Sequence, residues 1–567
     1  MQMIDLLSRQ ENRRGILRVQ WCFRGAIAAC ALINCWVSRF EIASDSVSYL
    51  DMGDLYWKGN WHAALNGLWS PLYGWLTGLM FLLTKPTMLW EYPEVHLLNF
   101  AILIATLFCF EFFWRELLAS GGGKAWVGGA RTFVWVLGYL LFAYVHLVIH
   151  PLALVTPDLL AAALLYVSSG MMLRFASGRM GAPSAILLGV TLGLGYLTKA
   201  AMLPFAVVFM TTMLAVAWKQ HRGKWLFAFV LLGFLITSFP FIAALSWNMH
   251  RFTWGDSAKL NYALWVNHPY PPYRYWQGDR PGHEDALHPA RKVFAWPEIY
   301  EYATPIEGTY PVWYDPCYWN AGMDSSIHPL RQAHVFRENM KTMVRAIFLR
   351  LSLIATLALL LLVSKGIKDW CRNLMTFWPI LIPAVAVCLM YMMVHWEARF
   401  TSGEMLVAWG AAIVSTGISE EERRTKLFLA LSLLLGAWVA YRFSTVLIDY
   451  RRANKSSAQA VMVAQRLRAM GVEPGDHVAI VGDALAEEDW ARLEKVRIIA
   501  EVPNETHRVR PNSAAAFWES NPEGEIAVLE ILKSTGAMAV VADTPPTTLP
   551  SGWVPVGNTG HAIYFFR

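Results

Sequence analysis

Four short polar segments interrupt an otherwise apolar chain, and their side chains could do acid–base and phosphate chemistry. They carry Asp45, Asp158, Lys199 and the group His395, Glu397 and Arg399. Lysine and arginine bind phosphate, and arginine can do so with two parallel hydrogen bonds. A carboxylate can serve as a general base. Acids beside fixed cations at a membrane face suit a reaction in which an anionic lipid headgroup leaves and a hydroxyl group loses a proton.

Asp45 is the most informative of these positions. It lies just past the first apolar run and is followed by Tyr49, Asp51 and Asp54. Acids at the exit of a membrane helix usually have a function or a nearby partner. Asp45 could instead cap a surface helix, but the crowding of polar groups in one short segment favours a functional role.

The other candidates also have structural interpretations. Asp158 could be a helix N-cap, because it follows a Thr-Pro pair. Lys199 could extend toward lipid headgroups. Glu397 and Arg399 could simply pair with each other. None of these residues decides the function alone. A shared functional site requires all four segments to lie on the same side of a membrane.

Composition supports a membrane protein. Of 567 residues, 56% are hydrophobic and 16% are charged, whereas soluble domains carry roughly 25% charged residues. The net charge of +6 is spread over short loops, which excludes a nucleic-acid-binding face. Six of the seven cysteines lie in or beside apolar runs, which excludes a disulfide framework and a cysteine-based zinc site.

Apolar runs of membrane-crossing length predict about 11 spans. They are placed at 20–39, 95–115, 131–149, 158–176, 183–198, 201–218, 225–247, 344–363, 374–394, 401–417 and 427–447. The arginines before the first run and the basic residues of short loops all fall on alternate loops, which predicts a cytoplasmic N-terminus. The first run is too long for a signal peptide and is interpreted as a retained span.

The opposite side receives the four candidate segments and the larger connections. These are a first periplasmic loop at 40–94, a large periplasmic loop at 248–343 and a C-terminal region. The apolar run 71–83 is short and aromatic, which predicts a juxtamembrane helix on the outer face. We therefore predict an α-helical polytopic domain over 1–450 with its polar candidates at one outer face.

The C-terminal region, 451–567, has a soluble character. Strands are predicted at 477–481, 496–502, 537–541 and 562–566, and helices at 461–470 and 526–534. This alternation predicts a small periplasmic α/β domain. It contains no GxGxxG motif and no P-loop, so a docking or capping role is favoured over nucleotide binding.

Aromatic residues are concentrated in the large loop and include Trp313 and Tyr314. Aromatic faces suit sugar stacking, although they also anchor proteins at membrane interfaces. We predict substrate contacts from Tyr49, His395, Glu397, Trp313 and Tyr314. The loop histidines His283, His288 and His328 lack a metal-ligand spacing, so no metal site is predicted. The sequence requires no cofactor, and a divalent metal is allowed.

Five motifs together resemble the C-type (GT-C) membrane glycosyltransferases of the family 39 type. They are Asp45 after the first span, Trp69-Ser70-Pro71-Leu72-Tyr73, Thr156-Pro157-Asp158, Gly195-Tyr196-Leu197-Thr198-Lys199 and Glu397-Ala398-Arg399-Phe400. The most similar groups are the protein O-mannosyltransferases and the bacterial aminoarabinose transferase acting on lipid A. The motifs are short, but their order and topology match over 1–450.

The resemblance implies an inverting transfer of a sugar from a polyprenyl phosphate on the periplasmic face. It implies that Asp45 is the base, that Lys199 and Arg399 hold the leaving phosphate, and that Asp158 orients donor or acceptor. Two departures are the pairs Asp45-Ser46 and Arg399-Phe400, where the mannosyltransferases have Asp-Glu and the family has Arg-Tyr.

The predicted function is thus a glycosyltransferase of the bacterial inner membrane, with a hydroxyl acceptor on a glycolipid, glycan or protein and no nucleic-acid partner. Alternatives are a lipid or glycolipid transporter or flippase, and a non-catalytic membrane subunit. A transporter often shows repeated halves and mid-membrane sites, which this sequence lacks.

Overall fold

The structure is a computed structural model, in which the chain is mostly helical. It describes residues 2–120, 128–149, 152–267, 287–288, 290–302, 306–323, 325–363, 367–416, 421–504 and 512–566. The large loop at 248–343 is therefore described in part, and His283 lies outside the described residues.

In the described part of the chain, ten helices precede the large loop. They are α1 (Gln2–Val37), α2 (Ser44–Trp57), α3 (Trp61–Ala64), α4 (Pro71–Thr84), α5 (Glu91–Ser120), α6 (Gly128–Tyr144), α7 (Asp158–Ala176), α8 (Ala182–Thr198), α9 (Met202–Lys219) and α10 (Leu226–Asn248). Later helices are α11 (Ser257–Tyr262), α12 (Pro311–Tyr314), α13 (Pro316–Trp319), α14 (Pro329–Val363), α15 (Ile367–Leu374), α16 (Trp378–Val394), α17 (Ser402–Val414), α18 (Glu421–Ala469), α19 (Glu488–Glu494), α20 (Ser513–Trp518) and α21 (Pro522–Ser534). A π-helical turn, Val145–Ile149, extends α6, and a 3₁₀ turn, Ala398–Thr401, precedes α17.

Eight helical segments among the described residues are long and apolar enough to cross a membrane, and each coincides with a predicted span. They are Arg14–Val37, Glu91–Ser120, Ala130–Ile149, Asp158–Ala176, Met202–Lys219, Leu226–Asn248, Ile367–Val394 and Glu422–Ala469. The remaining predicted spans fall on α8, α14 and α17. With 17 and 13 residues, α8 and α17 reach about 26 and 20 Å, less than a hydrocarbon core of about 30 Å. The chain is a multi-pass membrane protein.

Helices α2 and α4 lie against each other at the end of the bundle where α1 finishes. Their backbones approach closely, because a Cβ added to Gly53 would lie 2.6 Å from the carbonyl oxygen of Gly74. Small residues permit such close helix contacts. The apolar run 71–83 forms a helix, α4, and its packing against α2 fixes the helix that carries Asp45. We call this end of the bundle the Asp45 end.

Among the described residues, seven strands form one sheet beside the helices. Its strands are β1 (Arg291–Phe294), β2 (Ile299–Glu301), β3 (His477–Gly482), β4 (Arg497–Pro503), β5 (Ala539–Ala542), β6 (Trp553–Pro555) and β7 (Ala562–Phe565). The spatial order is β1-β2-β4-β3-β5-β7-β6. Strand β3 pairs in parallel with β4 and β5, and the other pairs are antiparallel. The three central strands are almost entirely buried, as expected where both faces of a parallel sheet are covered.

The sheet joins two distant parts of the sequence. All four predicted C-terminal strands are present, and β1 and β2 come from the large loop, with β2 pairing with β4. This pairing covers an edge of β4 that would otherwise expose unpaired backbone groups. Helix α18 runs without interruption from the membrane helices into the sheet region. We call the sheet with α19, α20 and α21 the sheet domain.

Candidate active site

Asp45 is the second residue of α2, and the N-cap position is occupied by Ala43. Its carboxylate accepts a hydrogen bond of 3.3 Å from the Trp313 indole Nε1 and lies 3.7 Å from Nη2 of Arg399. The side chain keeps 31% of its exposure, so the carboxylate is partly accessible. Burial raises the pKa of Asp45 above its usual value, although Arg399 and the Trp313 hydrogen bond lower it in part.

Asp158 begins α7, and the preceding Pro157 is its N-cap. The carboxylate accepts a hydrogen bond from the Lys199 ammonium and one of 3.0 Å from the Thr156 hydroxyl. It also lies 3.7 Å from Nη1 of Arg399. Asp158 is therefore a nearly buried acid held by two cations, a more specific arrangement than a helix cap.

Lys199 is the C-cap residue that follows α8, and its side chain turns inward. Burial lowers the pKa of Lys199, but the Asp158 carboxylate outweighs this effect and leaves the pKa above its usual value. The ammonium lies 4.0 Å above the ring centre of Phe400, which itself stacks on Tyr391 at 5.0 Å. The charge thus rests on aromatic faces, which stabilise it by cation–π attraction, and the side chain points toward Asp158.

Arg399 links the two acids. Its two terminal nitrogens face Asp45 and Asp158 at 3.7 Å each, whereas Nε donates a hydrogen bond of 2.7 Å to Glu397. Three carboxylates keep the pKa of Arg399 above its usual value against the effect of burial. The guanidinium is therefore fixed at one edge by Glu397 and held only loosely toward the two acids.

Glu397 and His395 form an outer arm of the site. A ring nitrogen of His395 lies 3.1 Å from the Glu397 carboxylate, and the ring stacks on Trp265 with centroids 3.8 Å apart. Burial acts to raise the pKa of Glu397, but His395 and Arg399 together lower it to about 2. Glu397 is thus ionised across the physiological range, and this arm orients Arg399.

The predicted aromatic residues divide into two groups. Trp313, on α12, contacts Asp45 directly, and Tyr49 is buried with edge-to-face contacts to Trp69 and Tyr73. Burial raises the pKa of Tyr49 well above its usual value, so the phenol remains neutral. Tyr314 points elsewhere, because its hydroxyl donates to the Ala63 carbonyl oxygen at 2.8 Å.

A small cavity of about 20 Å³ opens beside Lys199, Asp158 and Arg399, which is room for about one water molecule. Glu404, in the first turn of α17, also lines it and is nearly buried. Glu404 and Tyr391 are not among the site residues predicted from the sequence. An acid five residues after Arg399 in an apolar run was a usable signal, because such acids are rare without a function.

No three His, Cys, Asp or Glu side chains within the described ranges lie close enough to hold a metal ion. His288 stacks on Tyr318, and His328 contacts Ser326.

The membrane helices, the helices α2 and α4 at the Asp45 end and the sheet domain define the class of fold. It is the fold of the C-type (GT-C) membrane glycosyltransferases. The structure is similar to that of ArnT from Cupriavidus metallidurans in the apo state, with a TM-score of 0.54, 11% sequence identity, and coverage of 96% of this chain and 98% of ArnT. The structure of ArnT bound to undecaprenyl phosphate aligns equally well, with a TM-score of 0.54, 10% identity, and coverage of 95% and 96%.

An oligosaccharyltransferase from Archaeoglobus fulgidus aligns with a TM-score of 0.43 at 11% identity, covering 92% of this chain and 69% of its own, and is too distant to support an argument. No protein-family model matches the sequence. No curated protein matches it either.

Proposed function

We propose that the protein is a glycosyltransferase that moves a sugar from a polyprenyl phosphate to a hydroxyl acceptor with inversion at the anomeric carbon. One observation carries the proposal: Arg399 lies between Asp45 and Asp158, with Lys199 on the far side of Asp158. Segments far apart in sequence thus present one partly exposed acid and two cations at the same end of the bundle. The fold shared with ArnT, which has been solved with undecaprenyl phosphate, makes a lipid phosphate the natural ligand.

In the proposed reaction Asp45 accepts the proton of the acceptor hydroxyl as its oxygen attacks the anomeric carbon. The bond between that carbon and the phosphate oxygen breaks, and the electron pair leaves with the polyprenyl phosphate. Lys199 and Arg399 stabilise the charge that develops on the phosphate. Attack opposite to the leaving group inverts the anomeric configuration, and the proton ends on Asp45.

The acid–base properties of the site fit these roles. A general base works best when its pKa lies closer to the working pH than that of a free carboxylate, and burial shifts the pKa of Asp45 in that direction. Arg399 faces Asp45 and Asp158 at 3.7 Å, beyond hydrogen-bond distance. A phosphate oxygen can therefore take those N–H groups without first breaking short hydrogen bonds.

Asp158 is assigned an orienting role, because it holds the Lys199 ammonium. Trp313, Tyr49 and the His395–Glu397 arm are assigned to substrate contacts around Asp45. The small cavity beside Lys199 has room for about one water molecule and not for a sugar, so donor binding must move side chains of the site. Two cations already supply positive charge to the phosphate, and we propose that transfer needs no metal ion.

We place the reaction in the bacterial inner membrane, with the active site and the sheet domain in the periplasm and the N-terminus in the cytoplasm. The alternating basic loops of the sequence support this orientation. The acceptor is a hydroxyl group of a glycolipid, glycan or protein.

The test is transfer of labelled sugar by the purified protein in lipid nanodiscs. Donors are a panel of polyprenyl-phosphate sugars, acceptors are extracted envelope glycolipids, glycans and proteins, and each reaction is run with and without a chelator. We expect transfer from one donor class, an inverted anomer in the product, and an equal rate with chelator. Binding of polyprenyl phosphate without transfer from any donor would contradict the proposal and indicate a lipid transporter.

A further inference from the structure

A second cluster of charges lies on the far part of α2 and joins it to the sheet domain. Arg492, on α19, donates a 2.7 Å hydrogen bond to Asp51 and another of 2.7 Å to Glu91. Its third nitrogen lies 2.9 Å from Asp54. Lys495 lies 2.6 Å from Glu91 and 3.6 Å from Asp54. The Arg492 side chain is only 3% exposed, so its guanidinium is buried among these carboxylates. We call these five residues the Arg492 cluster.

The sheet domain also holds the beginning of α2. The hydroxyl of Ser44, the neighbour of Asp45, donates a 2.7 Å hydrogen bond to the backbone carbonyl of Leu485. On the adjacent α5, the Tyr92 hydroxyl donates one of 2.6 Å to the carbonyl of Asp489. Helix α2 is therefore attached to the sheet domain on both sides of Asp45.

The segment that carries Trp313 is held by the same elements. Asp51 accepts hydrogen bonds from the backbone amide and the hydroxyl of Thr309, at 2.6 and 2.9 Å. The Thr309 carbonyl accepts one of 2.8 Å from the amide of Ile498 on β4. Ser48 donates one of 3.1 Å to the Trp313 carbonyl. The indole that contacts Asp45 is thus fixed between α2 and the sheet.

We propose that the sheet domain positions Asp45 for catalysis, with Arg492 as the main positioning residue and Ser44 as a second one. The proposal rests on the proposed function, in which Asp45 is the base. Asp51 follows Asp45 by six residues on one helix, or about 9 Å along its axis, so a shift at the Arg492 cluster moves Asp45 with it. A displacement of about 1 Å can lower a rate on the order of 100-fold.

The test uses the full-length protein and four variants. The double variant Arg492→Met with Glu91→Gln removes the contacts of Arg492 to Asp51 and Asp54 on α2. It keeps the net charge of the Arg492 cluster unchanged, because one positive and one negative charge are lost. Arg492→Lys keeps a positive charge but can satisfy only some of the partners. Ser44→Ala removes a single hydrogen bond. Arg291→Met is the matched control, because Arg291 is an exposed arginine of the same sheet, paired with Glu301.

We expect the double variant to lower kcat at least about 10-fold with the donor KM within about 2-fold of wild type, because Lys199 and Arg399 are untouched. Arg492→Lys should recover part of kcat, and Ser44→Ala should lower it about 3-fold. Arg291→Met should match wild type. A merely structural role would lower the amount of folded enzyme and not the kcat of the folded fraction.

A second measurement does not depend on sugar transfer. The rate at which a carbodiimide modifies Asp45, followed by peptide mass spectrometry, should rise in the double variant and not in Arg291→Met. An inactive wild type overturns the proposed function, and the labelling rates then still decide whether the sheet domain positions α2. Wild-type kcat and wild-type labelling in both the double variant and Ser44→Ala would overturn the positioning role.

Discussion

Two clusters of acids and cations share α2, and their geometries differ. In the Arg492 cluster the arginine makes three contacts of 2.7–2.9 Å and is 3% exposed. In the site around Asp45, Arg399 is 16% exposed and stands 3.7 Å from Asp45 and Asp158. The Arg492 guanidinium is therefore in short contact with three carboxylates, whereas Arg399 makes one short contact, to Glu397, and stands apart from the two acids that face it.

Contact distances and burial distinguish a structural ion cluster from a catalytic one. A buried charge needs short contacts on every side to offset its lost hydration. A group that must bind an anion and accept a proton needs contacts that a substrate can replace. Asp45 also remains partly exposed, and its pKa is raised by burial, as a base requires.

The first prediction contrasts the two arginines by stability. Arg492→Met leaves buried carboxylates without a partner and should lower the free energy of unfolding by roughly 3–5 kcal/mol. Arg399→Met removes one short hydrogen bond and two contacts of 3.7 Å and should lower it by only about 1–2 kcal/mol, because Glu397 keeps His395 and Asp158 keeps Lys199 as a partner. Thermal unfolding in detergent, followed by tryptophan fluorescence, measures both. Equal losses would remove the distinction between the two clusters.

The second prediction contrasts the two lysines by donor affinity. Lys199→Met should raise the donor KM about 10- to 100-fold, since a hydrogen bond to a charged group contributes roughly 1.5–3 kcal/mol. Lys495→Met, in the Arg492 cluster, should leave the donor KM unchanged. Initial rates over a range of donor concentrations decide between these outcomes. A KM that rises equally in both variants would contradict the assignment of Lys199 to the phosphate.

The third prediction concerns pH. Arg399 lowers the pKa of Asp45, against the larger effect of burial. Its removal in Arg399→Met therefore raises that pKa, and Asp45 becomes ionised only at higher pH. The acidic limb of the kcat profile should move to higher pH in Arg399→Met and stay in place in Lys495→Met. An unmoved limb in Arg399→Met would mean that another group is the base.

The smallest effect is expected at Asp489 on α19, an acid beside the Arg492 cluster. Burial and Glu487 raise the pKa of Asp489 to about 7. An acid with a raised pKa contributes full stability below its unfolded pKa of about 4, and this stability is lost as the pH rises toward 7. Asp489→Asn should therefore stabilise the protein by about 1 kcal/mol near pH 8 and less near pH 5. An equal gain at both values would contradict the pKa of Asp489.

Much of this organisation was predictable from the sequence. The membrane helices follow from long apolar runs, and alternate basic loops place Asp45, Asp158, Lys199 and Arg399 at one end of the bundle. The structure brings all four together. Four of the five strands described in the C-terminal region were also recognisable, because they are short and apolar, whereas β6 has only three residues and was not predicted.

Other features could not be derived, because they depend on contacts between distant segments. Arg492 and Asp51 are 441 residues apart, and neither lies in a motif that indicates the other. Strands β1 and β2 are short, with a register irregularity between them, so the edge of the sheet had no clear sequence pattern. Tyr314 was predicted beside Trp313 at the substrate, but adjacent residues of a helix face different directions. Its hydroxyl contacts Ala63 instead.

The most direct test of the central claim is the transfer rate of Asp45→Asn at saturating donor, measured per folded protein. Asp369→Asn is the matched control, because Asp369 is an exposed acid on α15 that pairs with Arg372. Loss of a general base typically costs about 10²- to 10⁴-fold, so Asp45→Asn should transfer sugar at about 1% of the wild-type rate or less. Asp369→Asn should match wild type. A wild-type rate in Asp45→Asn would show that Asp45 is not the base.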